Sequence, residues 1–399
     1  MKSKRKLLSV ILISIVLNLS LAGCWNSREL SSLAFITSMG FDKGDNGFLL
    51  TIQVFNPRAI ASQKSVDEPS VVVYTHEGKD VIETLRKLTS QSPRRLNATH
   101  LQTVIFSEDF AKEGISYILD FFSREHQFRT DIYFAVAKGT TANKILTTST
   151  KLETNPSNKL YSSLVYANKS LAGTNSVKVI ELTNSIIADG KDPVISGIEI
   201  IGDSEGNDSI DKLKKMESDP MKIAGLAVLK KDKFAGWLSE EESKGYNYII
   251  GNVSSTIEYL EEKSIGKIST EVTEANSKVH AYLLNGKPAI QVDIEVKENV
   301  ETVKSNLDLT KEESLNKIEK LVSQQITGIC NDALQKSQKE FKSDIFGFGE
   351  VIHRTYPKLW KPIKDNWSDE FAHLPVTINV TTKVQKSGTI ENSYFKKEK

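Results

Sequence analysis

Residues 279–296, VHAYLLNGKPAIQVDIEV, decide the architecture of the last third of the chain. Their two arms flank Asn285-Gly286, the dipeptide most typical of a two-residue hairpin turn. In the second arm, apolar and polar residues alternate at a period of two, which is typical of a strand with one buried face. The apolar positions are Ile290, Val292, Ile294 and Val296. The segment therefore predicts an antiparallel hairpin with arms at 279–284 and 290–296.

The segments that follow this hairpin extend it into a C-terminal α+β domain. Thr310-Lys311-Glu312-Glu313 matches a capping box, which predicts the start of a long helix. That helix carries an apolar stripe at three- and four-residue spacing, formed by Leu315, Ile318, Val322, Ile326, Ile329 and Ala333. Alternating apolar residues over 376–380 predict a final strand. We therefore expect residues 263–399 to form an antiparallel sheet with a long amphipathic helix.

The first half of the chain alternates predicted strands with predicted helices, which is typical of an α/β layer. Strands are predicted at 34–41, 48–55, 71–74, 101–106 and 132–136, and helices at 80–88, after Ser107, at 157–168 and at 176–187. The turn-forming run Asp189-Gly190-Lys191-Asp192-Pro193 closes this pattern. We therefore predict an N-terminal α/β domain over residues 24–190.

Residues 191–262 are expected to form a small mixed middle domain. A strand is predicted at 194–201, an exposed polar loop at 202–220, and a hairpin with arms at 223–229 and 234–238. Ser239-Glu240-Glu241-Glu242 is a capping box that predicts a short helix with a solvated charged face. The whole chain is therefore expected to be a mixed α/β or α+β protein of three mixed domains.

The N-terminal 23 residues have the pattern of a lipoprotein signal peptide. A basic start precedes an apolar run of about 16 residues, which is shorter than the roughly 20 residues that span a bilayer. Leu21-Ala22-Gly23-Cys24 matches a lipobox, which predicts cleavage after Gly23 and acylation of the Cys24 thiol. The acyl chains would hold the mature chain on the outer face of the cytoplasmic membrane. The alternative is an uncleaved N-terminal anchor with an incidental cysteine.

The composition excludes several other classes of protein. The 52 basic and 51 acidic residues give a net charge of +1, which does not favour a nucleic-acid-binding protein. Mean hydropathy is −0.30, and no second apolar run approaches the length of a membrane span. If Cys24 is acylated, Cys330 is the only other cysteine, so no intramolecular disulfide can form. Cys330 lies near the apolar stripe, which favours a buried core thiol over a nucleophile.

No motif for catalysis or metal binding stands out. The six histidines are scattered without ligand spacing, and no Cys-x-x-Cys is present. Gly347-Phe348-Gly349 lacks the third glycine of a dinucleotide-binding fingerprint, which favours a tight turn before a helix. The carboxylate pair Asp308 and Glu312 is typical of a helix start. We expect no catalytic residue, no metal site, no cofactor and no enzymatic activity.

Three segments in order along the mature chain resemble the Ger(x)C family, the lipoprotein C subunits of bacterial spore nutrient germinant receptors. The first is CWNSREL at residues 24–30, where Asn26 replaces the Asp that is common in the family. The second is IAGLAVL at 223–229, followed by FAGWL at 234–238 and the acidic residues 240–242. The third is DIFGFG at 344–349, followed by Tyr356-Pro357, Trp360 and Trp367.

The resemblance implies a non-enzymatic subunit of a receptor complex in the spore inner membrane. Its partners would be two multi-pass membrane subunits, of A and B type, and the lipid bilayer through the acylated Cys24. Such a complex senses nutrients and triggers germination. The resemblance also implies three mixed α/β domains, in agreement with boundaries near residues 191 and 263. We expect Trp237, Trp360 and Trp367 to be core or domain-packing residues, because aromatic rings bury large areas.

Two other functions stay open from the residues alone. A solute-binding lipoprotein of an uptake system would need two similar βα lobes around a hinge cleft, and the antiparallel pattern over residues 279–300 disagrees with that fold. A surface-anchored enzyme, such as a wall hydrolase, would need a convergent catalytic pair, for which the sequence offers no candidate.

Overall fold

A computed structural model describes residues 32–55, 71–125, 128–150, 153, 155–201, 220–262, 265–304 and 307–386, together with residues 7, 11 and 14. Within these residues the chain forms two β-sheets packed with helices. No helix in this part of the chain is long and apolar enough to cross a membrane. The predicted acylation site Cys24 and nearly all of the predicted loop at 202–220 lie outside the described residues.

The first sheet has nine strands among the described residues. They are β1 (Leu33–Gly44), β2 (Gly47–Phe55), β3 (Val71–Gly78), β4 (Arg95–Asn97), β5 (Thr103–Ser107), β6 (Tyr133–Ala137), β7 (Val194–Ile200), β8 (Met221–Lys230) and β9 (Lys233–Leu238). Their order is β3-β2-β1-β5-β6-β7-β8-β9, with β4 beside the start of β1. The central strands β1, β5, β6 and β7 are parallel, and antiparallel strands extend both edges.

Helices pack against this sheet as the alternating sequence pattern predicts. They are α1 (Val81–Thr89), α2 (Glu108–Glu113), α3 (Ser116–Arg124), α4 (Ala142–Thr147), α5 (Pro156–Ser170) and α6 (Val179–Ile187). The predicted cap Ser107 is confirmed, because its hydroxyl accepts a hydrogen bond from the Phe110 N–H at 3.3 Å. Beneath these helices, the rings of Phe106 and Phe134 stack with centroids 5.8 Å apart. Burial of such rings stabilises the layer.

The first sheet continues through the boundary predicted at residue 190. β7 pairs parallel with β6, β8 pairs with β7, and β9 pairs with β8. The predicted hairpin at 223–238 is confirmed as β8–β9, and it forms the edge of this sheet. A turn inside a sheet and a linker between domains share the same polar, Gly- and Pro-containing composition. The division into domains at 24–190, 191–262 and 263–399 stays a prediction.

The second sheet contains the hairpin predicted over residues 279–296. Its strands are β10 (Thr256–Glu262), β11 (Gly266–Leu284), β12 (Lys287–Lys304) and β13 (Val376–Lys386), paired in that order. Leu284 pairs with Lys287 across the turn, and Asn285 and Gly286 have φ of 51° and 78°. Two positive φ angles are what a type I′ hairpin turn requires. The predicted hairpin is confirmed.

The last strand differs from the prediction in its direction. β10, β11 and β12 are antiparallel, but β13 runs parallel to β12, so the expectation of an antiparallel sheet is wrong for this strand. The chain between β12 and β13 forms helices that return it to the start of β12, and a parallel pair needs such a crossover connection. The sheet is therefore mixed.

The long helix that covers this sheet starts differently from the prediction. It is α8 (Glu312–Lys336), and its predicted apolar stripe faces the core, with only Leu315 half-buried. The capping box at Thr310 does not form, because the Thr310 hydroxyl donates to Asp308 at 2.7 Å and Lys311 occupies the N-cap position. A π-helical turn (Ser337–Phe341) and the short helices α9 (Phe348–Thr355), α10 (Pro357–Ile363) and α11 (Trp367–Phe371) follow. The Asp308 carboxylate therefore takes the Thr310 hydroxyl group that the predicted capping box would have used.

The remaining helix, α7 (Glu240–Ile250), is more deeply buried than predicted. Its capping box is confirmed, because Ser239 and Glu242 exchange side chain-to-backbone hydrogen bonds. The solvated charged face is restricted to its first turn, because every residue from 243 to 249 is buried. A Cβ built on Gly245 would lie 2.1 Å from the Ile329 carbonyl oxygen of α8. The two helices therefore approach so closely that only glycine fits between them.

We expect Gly245→Ala to destabilise the protein by about 1–3 kcal/mol, because the new methyl group overlaps the backbone of α8. Gly328→Ala is the matched control, since a Cβ on Gly328 of α8 would have no other atom within 4 Å. That change should stabilise the protein by about 1 kcal/mol through helix propensity. Urea-induced unfolding of the two variants measures both effects. Equal stability of the two variants would contradict the close helix contact.

Candidate functional site at the Asp344 junction

The second and third segments of the family resemblance meet at one place in the fold. We define the Asp344 junction as Asp192, Leu229, Ser343, Asp344 and the turn at 347–349. Ser343 Oγ lies 2.8 Å from Asp192 Oδ2 and 3.0 Å from the Leu229 carbonyl oxygen. The Asp192 N–H donates to the Asp344 carbonyl oxygen at 2.8 Å. The junction therefore ties the end of β8 and the loop before β7 to the segment that opens α9.

The Asp344 carboxylate is the centre of the junction. Oδ1 accepts hydrogen bonds from the N–H groups of Gly347 at 3.0 Å and Phe348 at 3.1 Å. Oδ2 accepts from the Gly349 N–H at 2.7 Å and from Trp367 Nε1 at 3.0 Å. Gly347 has a φ of 78°, a left-handed conformation that glycine adopts without strain. The tight turn before a helix predicted for residues 347–349 is confirmed.

Two glycines allow the tryptophans of the third segment to pack against the first half of the chain. A Cβ on Gly190 would lie 2.7 Å from Trp360 Cη2 and 2.8 Å from Gly349 Cα. Trp360 is 2% exposed, and its ring centroid lies 5.0 Å from that of Trp367. The prediction that both tryptophans are packing residues is confirmed. Their position at the Asp344 junction depends on the absence of side chains at residues 190 and 349.

Trp237 packs elsewhere, on the helical layer of the first sheet. Its Nε1 donates to Glu108 Oε1 at 3.0 Å, and Lys138 Nζ lies 5.4 Å from its ring centroid. The neighbouring Gly236 lies close to the π-helical turn, because a Cβ there would be 2.6 Å from the ring of Phe341. The predicted packing role of Trp237 is confirmed, but this residue is not part of the Asp344 junction.

Burial governs the electrostatics of the junction. It raises the pKa of Asp344 to about 7, the nearby Asp192 carboxyl group adds to the rise, and the N–H donors oppose it. Burial likewise raises the pKa of Asp192, against the hydrogen bonds from Lys231 and Ser343. Both Asp344 oxygens take all their hydrogen bonds from within the chain, across separations of up to 23 residues. Such an arrangement holds the segments in place and leaves neither Asp344 oxygen free to bind a metal ion or a substrate.

A second buried polar cluster lies in the C-terminal half, and sequence reasoning missed it. Glu258 on β10 is fully buried, and its Oε1 lies 2.8 Å from Lys244 Nζ. The Tyr248 hydroxyl donates to the same oxygen at 2.7 Å, and Gln325 Nε2 donates to Oε2 at 3.0 Å. The period of two along β10 could have predicted the burial of Glu258, because Glu258 lies between the inward-facing residues Thr256 and Leu260.

Glu298 and Cys330 lie close to this cluster. Glu298 is fully buried, and its Oε2 accepts a hydrogen bond from the Thr270 hydroxyl at 2.6 Å. Burial raises the pKa of Glu298 to about 7, and the charge of Glu258 adds to the rise. Cys330 is fully buried, and its thiol lies 3.6 Å from the Gly245 carbonyl oxygen. Burial raises the pKa of the thiol, and the predicted core role of Cys330 is confirmed.

Cys24, the one predicted modification site, lies outside the described residues and stays a prediction. Within the described part of the chain, no group of three His, Cys, Asp or Glu side chains is arranged to hold a metal ion. Asp308, noted in the sequence as a helix-start charge, accepts hydrogen bonds from the N–H and hydroxyl of Thr310 before α8.

We expect Asp344→Asn to destabilise the protein by at least about 2 kcal/mol, because the new amide NH2 would face two N–H donors and lose both bonds. Asp365→Asn, at an exposed position in the same C-terminal segment, is the matched control. Its effect should stay within about 0.5 kcal/mol. Urea unfolding gives both values, and tryptophan fluorescence reports the release of Trp367. Wild-type stability of Asp344→Asn would show that the carboxylate does not hold the turn.

Glu298 should make the stability fall as the pH rises. The folded chain keeps the Glu298 proton up to about pH 7, whereas the unfolded chain releases it near 4.5, so the folded state binds more protons between these values. The stability lost across that window is up to about 3 kcal/mol. Urea unfolding from about pH 5 to about pH 8 should show a shallower loss for Glu298→Gln than for the exposed control Glu301→Gln. Identical slopes would mean that Glu298 titrates normally.

Comparison with known proteins assigns the chain to a family. The family description "Spore germination protein N-terminal domain" matches residues 26–200, and "Spore germination B3/ GerAC like, C-terminal" matches residues 224–388. Spore germination protein KC of Bacillus subtilis (strain 168) is 31% identical over 402 residues, covering 98% of this chain and 97% of the relative. Spore germination protein A3 of the same organism is 24% identical, covering 95% of this chain and 98% of the relative.

The same fold occurs in a solved structure. The crystal structure of the GerBC protein matches with a TM-score of 0.56 and 18% identity, covering 87% of this chain and 96% of that one. The expected mixed α/β architecture is thereby confirmed. The family matches include the third segment in full and all but the first residues of the other two, and the similarity to spore germination protein KC extends over nearly the whole chain. The chain therefore belongs to the Ger(x)C family of spore germination proteins.

Proposed function

We propose that this chain is a non-enzymatic, lipid-anchored C subunit of a nutrient germinant receptor, required for nutrient-triggered spore germination. The observation that carries the proposal is the similarity to spore germination protein KC over 97% of the length of that relative. Acyl chains on Cys24 hold the subunit on the outer surface of the spore inner membrane. Two multi-pass membrane subunits, of A and B type, are its partners in the proposal. It involves no cofactor and no nucleic acid.

The geometry of the Asp344 junction supports an interaction subunit. Residues that carry the family resemblance, namely Asp344, Gly347, Trp360 and Trp367, are buried or hydrogen-bonded within the chain. They therefore hold the shape of the body rather than contact a reacting molecule.

The two sheets argue against a solute-binding lipoprotein. That class needs two similar βα lobes around a cleft. Here the first sheet has a parallel centre with antiparallel edges, whereas the second sheet is dominated by the long β11–β12 hairpin. The two sheets also differ in strand order and length within the described part of the chain. The fold therefore favours the receptor subunit over this alternative.

The anchor is tested with spores that carry Cys24→Ala at the native locus, in a strain without other nutrient receptors. We expect the rate of nutrient-triggered germination to fall at least about tenfold, since an unacylated chain lacks its durable membrane attachment. Germination by a non-nutrient trigger should be unchanged. Labelling with an alkyne fatty acid reports whether the acyl group is lost.

Ser27→Ala is the matched control, because it changes a neighbouring residue and leaves Cys24 in place. It should keep both the acyl label and the nutrient response. Normal nutrient germination in a strain deleted for the whole gene would contradict the receptor role. An acyl label that persists in Cys24→Ala would contradict the anchor alone.

A further inference from the structure

A pocket of about 410 Å³ opens on the first sheet, between α1, β4 and α3. Its base is apolar and includes Ile36 of β1, Leu96 of β4, and the rings of Phe121 and Phe128. Its volume falls within the range of small-molecule sites, which combine an apolar lining with a few polar groups. The Asp344 junction does not contribute to this pocket.

Two arginines line the pocket, Arg86 from the last turn of α1 and Arg95 from the start of β4. Both residues are exposed, and neither guanidinium group forms an ion pair among the described residues, although the charge of Arg86 acts on the nearby Asp80 carboxyl group. Nearby cations are paired, since Lys87 bonds Glu83 at 2.7 Å and Arg124 bonds Asp120 at 2.8 Å. Glu125 is the one acidic residue of the lining. The pocket therefore offers two guanidinium groups above an apolar base.

The pocket lies where the chain enters the fold from its proposed anchor. Arg95 pairs directly with Leu33, the first residue of β1. Eight residues lie between Cys24 and Leu33, so even a fully extended tether spans at most about 30 Å. Ile36 lies three residues further along β1, about 10 Å beyond Leu33. An acyl group on Cys24 therefore limits the distance of Leu33 from the membrane surface to about 30 Å and allows this end of the first sheet to reach that surface.

We propose that this pocket binds the headgroup of an anionic phospholipid of the membrane to which the chain is tethered. Arg86 and Arg95 contact the phosphate, because guanidinium groups bind phosphate oxygens in a bidentate geometry. The glycerol backbone and the upper acyl chain lie on the apolar base. The inference rests on the proposed anchor for its geometry. Its consequence is an orientation, with the β1–β4 end of the body facing the bilayer.

A phospholipid fits these observations better than an acidic peptide of a partner. The short tether brings the bilayer surface within reach of the pocket, whereas nothing in the described chain brings a peptide there. Ile82 on the pocket rim is 43% exposed, which suits contact with the boundary between headgroups and acyl chains. The short tether and the exposed rim residue Ile82 therefore both favour a phospholipid as the occupant of the pocket.

The experiment uses the full acylated protein, reconstituted into vesicles of phosphatidylcholine with or without phosphatidylglycerol. Amide hydrogen exchange is followed over residues 81–97 and, as an internal reference, over 279–296. We expect exchange over 81–97 to slow about fivefold with phosphatidylglycerol, since lipid binding to the folded state opposes local opening. Arg86→Gln/Arg95→Gln should abolish that difference. Arg354→Gln/Lys361→Gln, which removes the same charge from exposed C-terminal helices, should keep it.

Each outcome separates the pocket from the anchor. Retention of the protein on neutral vesicles reports the anchor, whereas the exchange difference between lipids reports the pocket. Equal exchange in both lipids, or an unchanged difference in the Arg86/Arg95 variant, would overturn the inference. Slower exchange caused by soluble glycerol phosphate but not by phosphatidylglycerol in the vesicle would assign the site to a free anion and overturn the inference as well. Unchanged exchange over 279–296 in every variant shows that the second sheet is intact and that exchange conditions are matched.

Discussion

The structure depends on the need of one buried carboxylate for hydrogen-bond donors. Removing a carboxylate from water costs several kcal/mol unless donors replace the lost solvent. Asp344 obtains four of them, from the turn at 347–349 and from Trp367. The hydrogen bonds to Asp344 bend the chain at Gly347. This bend places Gly349 against Gly190 and Trp360 between the two halves of the protein. Ser343, the residue before Asp344, then bonds Asp192, 151 residues earlier in the chain.

A second buried acid, Glu258, limits the pairing of the outer edge of the second sheet with other chains. β10 is an edge strand, and such strands can pair with another chain unless something prevents it. Glu258 points inward from β10 and is held by Lys244, Tyr248 and Gln325. An inward-pointing charge is one of the known means by which proteins discourage edge pairing, because a shifted register would leave it without partners. The same residue also ties α7 and α8 to the sheet.

Local signals predicted much of this fold, whereas long-range pairing could not be predicted. Asn285-Gly286 dictates its turn through its own φ angles, and the stripe of α8 needs only helical spacing. The direction of β13 depends on how intervening helices return the chain, which no local pattern encodes. The cap at Thr310 failed because Asp308 competes for its hydroxyl group. The sequence DIFGFG predicted a turn, but the role of Asp344 became visible only with Trp367 and Asp192 beside it.

The parallel attachment of β13 has a consequence for the order in which the protein folds. Asn379 of β13 bonds Asp293 of β12, so this pairing closes a loop of 86 residues. Closure of such a long loop is slow, because its entropy cost precedes the contacts that offset it. The hairpin β11–β12 and the helix α8 can form from local contacts, but the sheet is completed only after the final strand has been synthesised. A chain exported unfolded across a membrane would therefore reach its mature core only after its C-terminal end had emerged.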